Sequence, residues 1–210
     1  IKNAHREKFA KIVEEDLAKK KDDYLYFKTD HHWTSLGAFY TAQIVNPIMG
    51  NSKISEDDFN IYTVSTNFKG TLAHRVGSVS LKDSIDIYVA KDNPDYIVTN
   101  VSTNEKSRSI YSVDDANQYE VFLGGNAPCI RIETNNKNSE KHLLIFKDSY
   151  ANAYIQFLLP FYRTITIVDP RYYTDSVDRI IRGDLITDVL YLYNTNTFMG
   201  DTSLADVLGG

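Results

Sequence analysis

The chain has 210 residues, 42% of them hydrophobic, with a formal net charge of −5 and a single cysteine, Cys129. That length suits one fairly large domain with a buried core, or one domain with an inserted subdomain. The charge argues against nucleic acid or anionic lipid as a general partner, and the lone cysteine excludes an intrachain disulfide and any cysteine-rich zinc site.

No stretch reaches the length of a membrane span, and no signal peptide is visible. The chain begins with Ile1, so it reads as a fragment or a processed form. Its 15 tyrosines fit two accounts: strand preference, or an aromatic surface for sugar polymers.

In chain order, residues 4–23 read as an amphipathic helix, with Phe9, Ile12, Val13 and Leu17 at helical spacing. "YLYF" (24–27) is a short strand. "TSLGAFYTAQIVNPIMG" (34–50) is a second helix, with Thr34 or Ser35 as N-cap and Gly50 closing it. Residues 51–112 mix turn formers with short apolar pieces, among them strand-like "SIDIYVA" and "DYIVTNV" around the turn "KDNP". This stretch is expected to be a β-rich insert or cap. "DDANQYE" is read as a helical turn, and "EVFLGG" and "CIRIET" as strands joined through "GGNAP".

The last third has the plainest pattern. "HLLIF", "TITIV" and "DVLYLYN" are strand-length apolar runs; "ANAYIQFLL", "SVDRIIRG" and "TSLADVL" between and after them are helical. Strand and helix alternating in this way imply parallel pairing with right-handed crossovers. The expected fold is α/β: a mostly parallel sheet flanked by helices, flavodoxin-like, in a single domain over 1–210. Ligands of such sheets sit beyond the carboxyl ends of the strands. Those ends carry "KDSY" (147–150), "DPRYY" (169–173) and "NTNT" (194–197).

Two constellations stand out. Ser149 lies on a strand-to-helix turn, where a serine oxygen is exposed and helical amides face a developing oxyanion; equally, Asp148 or Ser149 can simply cap the helix. "KTDHHWTSLG" (28–37) gathers Asp30, His31, His32 and the only tryptophan, Trp33. In an extended segment Asp30 and His32 share a face and His31 points away. The carboxylate then holds one imidazole nitrogen and leaves the other for a serine hydroxyl, which selects His32 as base. The competing reading is a metal site built on Asp30, His31 and His32. Adjacent histidines diverge, and His74 and His142 are isolated, so the expectation is no metal.

"YFKTDHHWTSLGAFY", "FLGGN", "LLIFKDSYANAYIQFLLPFY", "VDPRYY" and "DVLYLYNTNTF" together resemble the bacterial DHHW protein family. That family is similar to SGNH-type hydrolases, especially their alginate O-acetyltransferase branch. The resemblance covers most of the chain, least in the middle, and implies an SGNH-like fold without the family's usual N-terminal part. It implies a triad of Ser149, His32 and Asp30, with the aspartate and histidine preceding the serine. Lys147 stands where the usual glycine–aspartate–serine turn has its glycine. Gly125 and Asn126 are the one good candidate for the family's glycine and asparagine blocks.

The expected activity is serine-dependent acyl-ester chemistry, an O-acetyl esterase or O-acetyltransferase acting on an extracellular or cell-surface carbohydrate polymer. It needs no cofactor. The amides of Ser149 and Tyr150, with Asn126, are expected to hold the oxyanion, and Arg171 to add charge or bind substrate. His31 and Asp148 are expected behind these groups. Trp33 is either a sugar-stacking wall or core. The resemblance implies a secreted or membrane-anchored parent. The alternative is a polymer-binding or scaffold protein that keeps the fold without turnover.

Overall fold

Uniformly apolar strands need cover on both faces, and the runs "HLLIF" and "TITIV" have it. The computed structural model describes residues 3–78, 80–112 and 118–209, with side chains from residue 11 onward. It divides into two compact units, Ile1–Lys91 and Asp92–Gly210.

In the first unit, α1 (Asn3–Ala18) packs against α2 (Ser35–Ile48). Thr34 is the N-cap, its hydroxyl accepting from Gly37 N–H. Gly50 closes the helix in the left-handed region at φ 71°, which costs glycine little. β1 (Phe59–Phe68) and β2 (Asp83–Ala90) form an antiparallel two-stranded sheet, and α3 (Thr71–Arg75) lies in the connection between them. Phe39 of α2 stacks on Tyr88 of β2 at 5.5 Å, and Ser35 Oγ donates to Asp86 O at 2.5 Å. "YLYF" is not a regular strand; it contributes only an isolated bridge between Tyr26 and Trp33.

The second unit is a six-stranded sheet. Its strands are β3 (Tyr96–Asn100), β4 (Lys106–Ser107), β5 (Cys129–Thr134), β6 (His142–Lys147), β7 (Thr164–Val168) and β8 (Asp188–Leu192). The spatial order is β4-β3-β5-β7-β6-β8. The stretch 51–112 is thus divided between the units, β1 and β2 in the first, β3 and β4 in the second.

The sheet is mixed, which corrects the expectation of a mostly parallel one. Only β7–β6 and β6–β8 are parallel; β5 runs antiparallel to β7 and to β3, and β3 to β4. Connection length explains the split, because a parallel crossover needs about a dozen residues or more. Residues 148–163 and 169–187 suffice for β6 to β7 and β7 to β8. The polar loop 135–141 is too short, so β5 enters reversed.

Cover comes from α4 (Asp178–Gly183), α6 (Ser203–Val207) and the buried β6–β7 connection, whereas α5 (Thr195–Gly200) buries none of its residues. Leu144, Phe146, Val168 and Val207 share a core cluster against which Ile180 and Leu204 pack. Leu143 and Ile145, alternating to the other face, are fully buried too. The connection is not the expected helix. "ANAYIQFLL" forms two 3₁₀ turns, Ser149–Ala153 and Ile155–Phe157. Gln156 Nε2 donates to Ala153 O at 2.6 Å, the carbonyl that Phe157 N–H would use in an α-helix. Phe157 N–H goes to Tyr154 O instead, a side chain competing with the backbone ladder.

"EVFLGG" likewise makes a 3₁₀ turn, Tyr119–Val121, followed by left-handed residues at Leu123, Gly124 and Gly125. Most of "DDANQYE" lies outside the described residues.

Candidate functional site

The "TDHH" segment is the tip of a loop. Its base is closed by Phe27 N–H to His32 O at 3.2 Å and Thr34 N–H to Leu25 O at 2.8 Å. At the tip Asp30 Oδ1 accepts the His32 backbone N–H at 3.0 Å and meets His32 Nδ1 at 2.5 Å. One oxygen thus makes the aspartate-to-i+2 turn and orients the imidazole, which gives the Asp-x-His spacing its physical reason. Asp30 Oδ2 accepts from Thr71 N–H at 2.8 Å and from the Thr71 hydroxyl at 3.2 Å. Asp30 and His32 are both buried. Burial alone would raise the Asp30 carboxyl, but the hydrogen bonds from His32 and Thr71 and the His32 charge outweigh it. The group is held well below the usual carboxylate range.

The loop rests on residues that carried no signal of their own. Thr29 N–H and Oγ donate to Asp83 Oδ2 at 2.7 and 2.6 Å, and the Tyr24 hydroxyl donates to Asp83 Oδ1. Thr29 O accepts from Leu72 and Ala73, and Thr29 Oγ accepts from Gly70 N–H at 3.1 Å. Gly70 is required by close approach: a Cβ there would lie 2.2 Å from Asp30 Cβ. Only contact between segments 40 or 41 residues apart explains Gly70 and Thr71, so no local pattern could have found them.

The bend also corrects the placement of His31. Because the segment turns instead of extending, His31 does not point to the opposite side: its ring lies 4.0 Å from that of His32, tilted by 38°. His31 Nδ1 meets Thr71 Oγ at 2.8 Å. One donor atom each of Asp30, His31 and His32 falls within 4.8 Å of the others. Both Nδ1 atoms have protein partners, Thr71 and Asp30, an arrangement suited to holding a tautomer. Trp33 is buried at 7% exposure, which favours core packing over a sugar-stacking wall.

In the second unit, the carboxyl ends of β6, β7 and β8 gather a polar network. Ser149 follows β6 and begins the 3₁₀ turn, partly exposed. Asp148 is the cap. Its Oδ1 accepts Tyr150 N–H at 2.9 Å and its Oδ2 accepts Asn194 N–H at 2.9 Å, tying the turn to the end of β8. The Tyr150 amide is therefore committed to Asp148, which removes it from the expected oxyanion donors.

Lys147 is fully buried. Its Nζ donates to Asn126 Oδ1 at 2.8 Å and Asn152 Oδ1 at 2.7 Å, and lies 3.4 Å from Asp169 Oδ2. Burial pushes the ammonium down, the Asp169 carboxylate opposes this and Arg171 adds to it, leaving it at about 8. Arg171 donates from Nε and Nη2 to the two Asp169 oxygens at 2.8 and 2.7 Å. The guanidinium is thus clamped by a buried carboxylate, and any substrate contact comes from its outer edge. Gly125, at φ 92°, turns the chain so that Asn126 meets this network; Asn152 Nδ2 lies 3.4 Å from Gly125 O and 3.3 Å from Asn126 Oδ1. Asp169 opens the "DPRYY" strand end, whereas Asn152 carries no sequence signal beyond the need of a buried lysine for acceptors.

A family model described as "DHHW protein" matches residues 4–168. Among solved structures, the chain is similar to a DHHW family protein from Eubacterium siraeum DSM 15702, with TM-score 0.78 and 28% identity over 90% of this chain and 65% of that one. It is also similar to Bacillus cereus PatB1 with a sulfonyl adduct, with TM-score 0.70 and 26% identity over 86% of this chain and 63% of that one. A second PatB1 structure gives TM-score 0.68 at 26% identity over 86% of this chain and 65% of that one. The chain therefore spans just under two thirds of the length of these relatives. No curated protein matches.

Proposed function

The chain belongs to the DHHW family, and on that premise we propose that it performs serine-dependent acyl-ester chemistry, removing or transferring O-acetyl groups on a carbohydrate polymer outside the cell. The observation that carries this reading is the buried Asp30–His32 pair at 2.5 Å. A carboxylate that fixes Nδ1 makes Nε2 the proton-exchanging nitrogen, the preparation a general base needs. The likeness to PatB1, whose structure carries a sulfonyl adduct, supports it, because sulfonyl groups attach to activated nucleophiles.

In this mechanism Ser149 Oγ attacks the ester carbonyl carbon and its proton passes to His32. The tetrahedral intermediate collapses as the ester C–O bond breaks, and His32 returns the proton to the leaving alcohol. Water or a sugar hydroxyl then attacks the acyl-serine, giving its proton to His32, which hands it back to Ser149 Oγ. Asp30 holds the imidazole tautomer and balances its positive charge. Asn126 and the Ser149 amide are assigned to the oxyanion, and no cofactor enters.

The test is turnover of p-nitrophenyl acetate and release of acetate from acetylated polysaccharide. Wild type should turn over and Ser149→Ala should not, while its melting temperature stays within a few degrees. Turnover that survives Ser149→Ala overturns the reading. The exposed tyrosines Tyr26, Tyr62 and Tyr172 favour polymer binding as the second reading. Polysaccharide affinity without turnover in folded wild type would establish it.

A further inference from the structure

The residue before the aspartate of the serine turn is usually glycine in the resembled turn; here it is a lysine with none of its surface exposed. Burying an ammonium is costly unless every donor is met. Lys147 has three N–H donors and three acceptors: Asn126 Oδ1, Asn152 Oδ1 and Asp169 Oδ2. Packing alone does not call for this arrangement, since an apolar side chain would fill the same space without needing partners.

The consequence falls on Asn126. A lysine donates only, so the atom facing it must be the carboxamide oxygen. That oxygen also accepts from Asn152 Nδ2 at 3.3 Å, so both of its lone pairs are used. The flip of the Asn126 amide is thereby fixed, with Nδ2 turned away from the network. Asn126 is exposed, and its Nδ2 has no hydrogen-bond partner among the described residues. Asn152, which completes the arrangement, lies on the same 3₁₀ turn as Ser149.

We infer that Lys147 is a positioning residue for acyl transfer: it locks the Asn126 carboxamide so that Nδ2–H is presented as an oxyanion donor beside the Ser149 turn. The inference rests on the acyl-transfer reading. It also supplies a donor in place of the Tyr150 amide, which Asp148 occupies. A preorganised donor costs no reorientation when the negative charge develops.

A double-mutant cycle on p-nitrophenyl acetate hydrolysis tests it. Asn126→Ala should lower kcat by about 10²-fold with KM nearly unchanged, the usual loss for one oxyanion donor. Lys147→Met should lower kcat by at least about tenfold. In the Asn126→Ala background, Lys147→Met should change kcat by less than about twofold, because its effect runs through Asn126. Losses that multiply would make Lys147 merely structural and overturn the inference, as would wild-type kcat in folded Lys147→Met. Should Lys147→Met fail to fold, Asn126→Asp decides. It keeps an acceptor for Lys147 but has no donor, so retained kcat contradicts the inference and loss of kcat at unchanged KM supports it. Wild type without turnover overturns the acyl-transfer reading and this inference with it; wild-type turnover with an additive cycle overturns this inference alone.

Discussion

Asp30 serves four groups with two oxygens: the His32 amide and imidazole, the Thr71 amide and the Thr71 hydroxyl. Asp30→Asn should keep the loop but present an N–H where an acceptor is required, favouring the wrong imidazole tautomer. The kcat should fall by orders of magnitude, about 10⁴-fold in the established triad case, as read by steady-state kinetics on the folded variant. The depressed carboxyl also makes a stability prediction. The unfolded state takes up its proton near 3.8 and the folded state only at lower pH. The stabilisation is complete above the unfolded value and disappears as pH falls through the folded one. Urea unfolding should therefore show wild type losing its advantage over Asp30→Asn as pH drops below 3.8. For Lys147 the pH slope has the same sign, although here burial penalises the charged form. The unfolded state holds its proton to 10.5 and the folded state releases it at about 8, so the unfolded state binds more protons in between. Wild type should gain stability relative to Lys147→Met across that window, and a flat difference would contradict the burial account. Gly70→Ala would place a methyl into Asp30 and should cost about 1–3 kcal/mol along with most of the activity.

At the scale of elements, the strands of the last third were legible because a run such as "TITIV", buried at every position, has few alternatives. The helical reading of "ANAYIQFLL" failed because its spacing is helical while its polar groups are not spectators. Gln156 takes the Ala153 carbonyl, and Asn152 turns into the Lys147 network. The parallel reading holds for β6, β7 and β8 and fails at β5, where loop 135–141 is too short for a crossover, and at β3 and β4, which also pair antiparallel. The long strand β1 was missed because most of its side chains are exposed, leaving no apolar alternation to read. Asp148 joins elements that sequence treats separately, the 3₁₀ turn and the end of β8. Asp148→Ala should cost about 1 kcal/mol for the cap alone, and more because Asn194 N–H is also released. Chemical denaturation measures this, and a loss well under that figure would mean that the turn holds itself.

For the molecule as a whole, the proposed chemistry rests on two separate motifs, one with Asp30 and His32 and one with Ser149. The sequence exposed these motifs because each is short and dense. It did not show the supports, Thr29, Gly70, Thr71 and Asp83 around one part and Asn152 and Asp169 around the other. These are single ordinary residues brought in by tertiary contact. It also misjudged His31, since a bend and an extended segment share the same four letters. The central claim, that Ser149 is a nucleophile activated by His32, is tested most directly by mass spectrometry after exposure to a sulfonyl fluoride. Wild type should acquire one sulfonyl group, mapped to Ser149. The adduct should be absent in Ser149→Ala, form far more slowly in His32→Ala, and form at nearly the wild-type rate in His31→Ala. A folded wild type that stays unlabelled, or labelling that needs His31 and not His32, would contradict the account.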